Sequence, residues 1–334
     1  MIYERRVIVV FLLCLAVALA ARAQADPCQQ RTVIASVVND QALPVQGLTA
    51  DNFSARFKGK EVKILSAQLD DQPHRVVVVL DSSGSMFSPE SQWNLAKSLA
   101  LDAVTASPAR FRAGLIVFNN QIRVRLPIQE STQSAREALN ALVPPHRKSD
   151  KSTGGTTALL DALMAATQMF EPPQFGDSIY AITDGSDNHS KATEEEVRAA
   201  LAKRGIRLFV QIVGVGTGQR TTPEEVSGPH ELEELVEDSG GRMLLVSPVS
   251  IFGKGLPDQY YPKRETLKPF QVAELYLYSL IQFAYRLEIA LPASTHKSDK
   301  WNLTVLPPKD LHARWLVNYP KRLDSCAEAA SAAR

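Results

Sequence analysis

Val76-Val77-Val78-Val79-Leu80-Asp81-Ser82-Ser83-Gly84-Ser85-Met86 is the stretch that decides how this chain of 334 residues is read. A β-branched run that never alternates with polar residues predicts a strand buried on both faces, as in a parallel sheet. The run ends on a carboxylate, and Ser83 and Ser85 follow at every second position, separated by Gly84. In an open α/β sheet, ligands sit beyond the carboxyl ends of the strands. One carboxylate and two hydroxyls converging there predict a site for a hard cation.

On either side of this stretch, strand and helix patterns alternate from Arg75 to about Val246. Ser91 to Ala106 carries Leu95, Leu99 and Val104 at helical spacing, and Gly114 to Phe118 reads as a second buried strand. Ile122 to Leu126 follows after three polar residues, a connection short enough to favour an antiparallel edge hairpin. Ser131 to Leu142, with Ser131 as N-cap, and Thr157 to Phe170 read as helices. Asp177 to Thr183 is a strand ending on Asp184-Gly185. Thr193 opens a helix with three glutamates in its first turn, where the helix dipole favours them. Arg207 to Val215 is a strand, 216–229 a loop, His230 to Asp238 a helix and Arg242 to Val246 a last strand. This alternation specifies a mainly parallel sheet with helices on both faces.

The flanks read differently. From about residue 31 to 65 the pattern is short strands, with Asn39-Asp40 and Lys58-Gly59-Lys60 as turns. Pro257 to Pro269 reads as a linker, and Pro269 to Ala284 as a docking helix. Alternation returns around Tyr285 to Leu291, Trp301 to Val305 and Trp315 to Tyr319. The expected plan is a β-sandwich built from residues 31–70 and 285–320, into which the α/β unit is inserted. In boundaries this means a targeting segment 1–23, a β segment 24–73, the α/β domain 74–250, a linker and helix 251–284, and a β segment 285–334.

Three loops should therefore meet at the carboxyl ends of the parallel strands. They bring Asp81, Ser83 and Ser85, then Thr157, then Asp184, all oxygen donors. Such a set suits magnesium, manganese or calcium better than zinc or copper. Only two of the donors are carboxylates. A divalent ion held this way stays electrophilic and favours a partner that brings one more carboxylate.

Asp81-x-Ser83-x-Ser85, Gly154-Gly155-Thr156-Thr157 running into Ala158 to Leu163, and Ile182-Thr183-Asp184-Gly185 resemble the three parts of the metal-ion-dependent adhesion site of von Willebrand factor type A (VWA) domains. The resemblance covers about residues 74–250. It implies a Rossmann-like fold, bound magnesium, and ligand binding without catalysis. It makes Asp81, Ser83, Ser85 and Thr157 metal ligands and places Asp184 on the metal through water. Thr156 is the alternative to Thr157, and the family's spacing to Leu163 favours Thr157. The flanking β segments and the apolar start further resemble the exported VWA-related proteins of Acidobacteria.

Arg5 and Arg6, the apolar run Val7 to Ala20 and Ala21-Arg22-Ala23 have the form of a cleaved signal peptide. The expected location is periplasmic or secreted to the cell surface, with no stable membrane span after cleavage. Loss of residues 1–23 removes three arginines and Glu4, taking the net charge from +1 to −1. That balance argues against nucleic acid as a partner. Cys28 and Cys326 remain, and in an exported chain an isolated pair suggests a disulfide, two free thiols being the alternative.

Asp81 and Ser83 could instead merely cap the next helix. Asp187 and Asn188 read as loop or cap residues, His189 as a surface residue, and Lys148, Asp150 and Lys151 as solvated neighbours of the site. An enzyme is not expected: Met86 and Phe87 follow Ser85 where a nucleophile elbow would need glycine, and no phosphate-binding loop is present. The expected function is an adhesion-type module that binds a protein or matrix partner presenting Asp or Glu. The alternative is an envelope component whose metal mainly stabilises the fold.

Overall fold

The computed structural model describes residues 29–39, 41, 43–70, 72–87, 90–105, 111–129, 133–142, 156–214, 223–246, 269–292, 299–307 and 315–323. The signal segment, Cys28, Cys326, Ser131, the loop 144–155 and most of the linker lie outside these residues.

Strand β4 (His74–Asp81) is central to a six-stranded sheet, completed by β5 (Phe111–Phe118), β6 (Ile122–Gln129), β7 (Ser178–Thr183), β8 (Arg207–Val213) and β9 (Met243–Val246). The order is β6-β5-β4-β7-β8-β9, parallel throughout except for the antiparallel edge strand β6. Every residue of β4 is buried because both faces are covered. Val76, Val78 and Leu80 pack with α1 (Glu90–Thr105), α2 (Gln133–Ala141) and α6 (Pro269–Gln282). Val77 and Val79 pack with α3 (Leu159–Thr167), α4 (Glu194–Arg204) and α5 (Pro223–Ser239). This explains the missing polar alternation. Each side chain so buried contributes roughly 1.5–3 kcal/mol.

Local signals act as expected at α4. Thr193 and Glu196 form a reciprocal capping box, and Gly205 takes φ +63° at the other end, a conformation costly for residues with a Cβ. Helix α5 departs from expectation, because it begins at Pro223 and runs through Pro229, where a loop ending at 229 was expected. Packing supplies the reason. A Cβ on Gly228 would lie 2.1 Å from the Gly185 carbonyl oxygen, and the Pro229 ring covers Gly185, so the helix is pressed onto the turn after β7.

The flanking strands are β1 (Gln30–Val38), β2 (Phe53–Phe57), β3 (Lys60–Asp70), β10 (Ala284–Ala290), β11 (Asp299–Val305), β12 (Leu316–Asn318) and β13 (Arg322–Leu323). N- and C-terminal strands do pair: β10 lies between β1 and β3, and β11 beside β2. In place of two stacked layers they form one seven-stranded sheet, ordered β12-β1-β10-β3-β2-β11-β13. Its edge strands β12 and β13 are only three residues apart in sequence, so the sheet must curl until its edges approach. The concave side holds its own core, with Phe53, Phe57, Tyr285 and Trp301.

Phe283 alone separates α6 from β10, and the two units meet there. Arg207, at the amino end of β8, is buried and donates from Nη1 to the Ser36 hydroxyl (2.8 Å) and the Leu280 carbonyl (2.9 Å), and from Nη2 to the Ile281 carbonyl (2.9 Å). Burial draws its pKa down to about 9, and its oxygen acceptors, two of them carbonyls at the negative end of α6, hold it charged at neutral pH. Among the described residues no helix is long and apolar enough to cross a membrane.

Candidate metal centre

The register of the parallel sheet brings the three motifs together. Asp81 ends β4 opposite Phe118 of β5, and Leu80 lies beside Ile182 of β7, so Thr183 and Asp184 emerge next to Asp81. Asp81 is fully buried. One carboxylate oxygen accepts the Ser83 N–H (2.8 Å) and the other the Thr183 hydroxyl (2.7 Å), which fixes its orientation. The Ser83 and Ser85 hydroxyl oxygens are 3.0 Å apart. Ser82 tethers this turn by donating from both its N–H and its hydroxyl to the Phe118 carbonyl, and Met86 is buried beneath it.

Thr157 reaches the same end of the sheet. The N–H of Ala158 donates to the carbonyl of Asn119, directly after β5 (2.8 Å). The N–H of Thr157 donates to the Asn188 side chain (2.8 Å), and its carbonyl accepts the N–H groups of Asn188 and His189. Asp187 accepts the Leu160 N–H (2.7 Å) at the start of α3, and Asp161 accepts the N–H groups of Lys191 and Ala192. Asp187 and Asn188 thus serve as cap and loop residues, and His189 is exposed. The Thr156 hydroxyl is buried without a hydrogen-bond partner, while Thr157 is itself buried. Asp184, 9% exposed, accepts the Ser186 N–H (3.0 Å) and precedes Gly185 at φ +90°.

Electrostatics mark this end of the sheet. Burial raises the Asp81 carboxyl to about 7, Asp184's charge adds to the rise, and hydrogen bonds from Ser83 and Thr183 oppose it. Neither carboxylate has an ion-pair partner among the described residues. The Ser186 hydroxyl is likewise buried without a partner. Two neighbouring unpaired carboxylates amid neutral hydroxyls are chemically suited to a hard divalent cation. No cluster of three or more His, Cys, Asp or Glu side chains of metal-binding form occurs among the described residues. The donor set is therefore poor in charge and rich in hydroxyls.

Residues 76–186 match the von Willebrand factor type A domain. All five candidate ligands fall inside that span. No curated protein matches the chain. Among solved structures, an aerotolerance-related membrane protein from Bacteroides fragilis, carrying multiple mutations to serine, is similar at 24% identity over 52% of this chain and 91% of its own, with a TM-score of 0.40. Proximal thread matrix protein 1 from the mussel byssus, with a zinc-occupied MIDAS motif, is similar at 15% identity over 68% of this chain and 50% of its own (TM-score 0.44). A von Willebrand factor type A protein from Catenulispora acidiphila is similar at 12% identity over 91% of this chain and 75% of its own (TM-score 0.40).

Sequence reading took Asp187 and Asn188 as cap or loop residues without their partners, the start of α3 and Thr157, and it missed Thr183 as Asp81's donor. Their side-chain type is visible in sequence. Their partners lie 27 to 102 residues away, which local pattern does not encode.

Proposed function

We propose that this chain is an exported, metal-dependent protein-binding module. Asp81, Ser83, Ser85 and Thr157 would hold a divalent ion directly, with magnesium preferred over manganese or calcium, and Asp184 would hold it through water. When bound, the ion supplies a Lewis-acidic position that accepts a carboxylate from a protein or matrix partner. The chain's own residues orient that position. Thr183 and Ser83 aim the Asp81 carboxylate, and the Asn188 clasp holds the Thr157 loop against the turn after β7. Thr157 is preferred to Thr156 because its backbone is held on both sides. The observation that carries the reading is the pair of buried, unpaired carboxylates at the carboxyl ends of β4 and β7. Export rests on the basic, apolar and small-residue order of residues 5–23. Nothing in the reading requires turnover.

The test is capture of partners from envelope extract by the mature protein, with magnesium and with chelator. A partner should be retained only with magnesium, and Asp81→Ala should reproduce the effect of the chelator. Retention unaffected by both would refute the reading. The mutual repulsion of the carboxylates also favours a second reading, an envelope component in which the ion mainly stabilises the fold. There, magnesium would raise the melting temperature while the captured set stayed the same.

A further inference from the structure

Helix α5 carries Gly228 and Pro229 side by side within its length, although glycine and proline are the two residues least favoured inside a helix. The pair is accounted for by the turn it lies against. A Cβ at position 228 would stand 2.1 Å from the Gly185 carbonyl oxygen and 3.6 Å from the Ser186 Cα, so the helix backbone comes this close only as glycine. In the other direction, a Cβ on Gly185 would stand 3.0 Å from Pro229 Cγ and 3.1 Å from Ile212 Cδ1, and Gly185 holds φ at +90°. Helix and turn are fitted to each other at these two glycines.

The same turn carries hydrogen bonds that orient both candidate carboxylates. The Gly185 N–H donates to the Thr183 hydroxyl oxygen (3.1 Å), and that hydroxyl donates to Asp81 (2.7 Å). The Ser186 N–H donates to Asp184 (3.0 Å). Gly185 and Ser186 are thus both the residues that α5 bears on and the residues through which Asp81 and Asp184 are held. A methyl group at position 228 would force the Gly185 carbonyl to retreat by about 1 Å, whereas a binding constellation tolerates about 0.5 Å.

Given a divalent ion at this centre, as proposed above, we infer that Gly228 and Pro229 are its positioning residues: through Gly185 and Ser186 they keep Asp81 and Asp184 in the arrangement the ion needs. The far end of the same helix offers a control. Gly240, just beyond α5 at φ +81°, would bring a Cβ within 2.5 Å of the Pro320 nitrogen, and the Lys321 N–H donates to the Glu237 carbonyl (3.0 Å). That end bears on the curled sheet, about 18 Å along the helix from Gly228.

Two measurements on the full chain test this: magnesium affinity by calorimetry, and hydrogen exchange of the Gly185 amide in the metal-free protein. Gly228→Ala should lower magnesium affinity about 10- to 100-fold and speed Gly185 exchange about ten-fold or more. Pro229→Ala removes the ring without adding bulk and favours the helix, so it decides the matter if Gly228→Ala fails to fold. It should lower affinity about three-fold and speed the same exchange, with the melting temperature unchanged or raised. Gly240→Ala should lower the melting temperature yet leave affinity and exchange within about two-fold of wild type. Magnesium affinity unchanged in the folded variants at 228 and 229, or lowered as much by Gly240→Ala, would overturn the positioning role and leave the metal reading standing. Absence of magnesium binding by the unaltered protein would overturn both.

Discussion

The two ends of the six-stranded sheet handle buried charge in opposite ways. At the amino ends of β4 and β8 two buried guanidiniums are met from within the chain, save for Arg207 Nε. Arg75 grips Asp177 with two hydrogen bonds of 2.8 and 2.6 Å, Pro172 gives a carbonyl to the same guanidinium, and Arg207 is surrounded by the carbonyls of Leu280 and Ile281 and the Ser36 hydroxyl. At the carboxyl end, Asp184's charge adds to the cost of ionising buried Asp81, and among the described residues no cation meets either carboxylate. One end supplies counter-groups for its buried cations; the other leaves two carboxylates without a cation among the described residues.

The largest effect expected from breaking this contrast is at the self-sufficient end. Arg75→Ala would leave Asp177 buried without its counter-charge, with only the Gln174 N–H still donating to the carboxylate, and should cost about 3–5 kcal/mol in denaturant unfolding. At the open end the sign reverses. Asp81→Asn should stabilise the metal-free protein by about 2–4 kcal/mol above pH 7. The folded carboxyl titrates at about 7, above its ordinary 3.8, so its destabilising effect is absent below about pH 4, grows through pH 4–7 and is complete above that. The gain from Asp81→Asn should follow the same course in urea midpoints measured against pH, and saturating magnesium should make wild type the more stable protein.

Arg207→Met should cost about 2 kcal/mol, because relief from burying the cation offsets part of the lost hydrogen bonds. Equal unfolding midpoints for the variant and wild type would show that α6 does not depend on this contact. The smallest change is Thr183→Val. It removes the hydroxyl that donates to Asp81 and accepts the Gly185 N–H, and should cost about 1 kcal/mol. Magnesium affinity, read by calorimetry, should fall roughly five-fold.

The open end was the more legible in sequence. Its residues sit in short motifs at strand termini, where hydrophobic runs stop abruptly, so the strand pattern places them without knowledge of packing. The self-sufficient end was not legible. Arg207 reads as an ordinary first residue of a strand, and its acceptors are a serine hydroxyl 171 residues earlier and carbonyls of a helix 73 and 74 residues further on. Pro229 misled for a related reason. A proline marks a helix boundary by local rules, but here the close approach of Gly228 to Gly185 fixes the helix across it. The flanking strands were identified one by one, whereas their union into a single curled sheet depends on a pairing order that alternation alone does not encode.

That pairing order bears on how the polypeptide is made. β10 is the strand that joins β1 to β3, with Ala284 opposite Asp70, yet it is translated after the whole α/β unit. Until it emerges, both edges of β1 and the outer edges of the β2–β3 pair stay unpaired, edges of the kind that recruit other molecules. A holdase that shields β1 and β3 during synthesis would meet that need, and shortening the interval by circular permutation would lessen it.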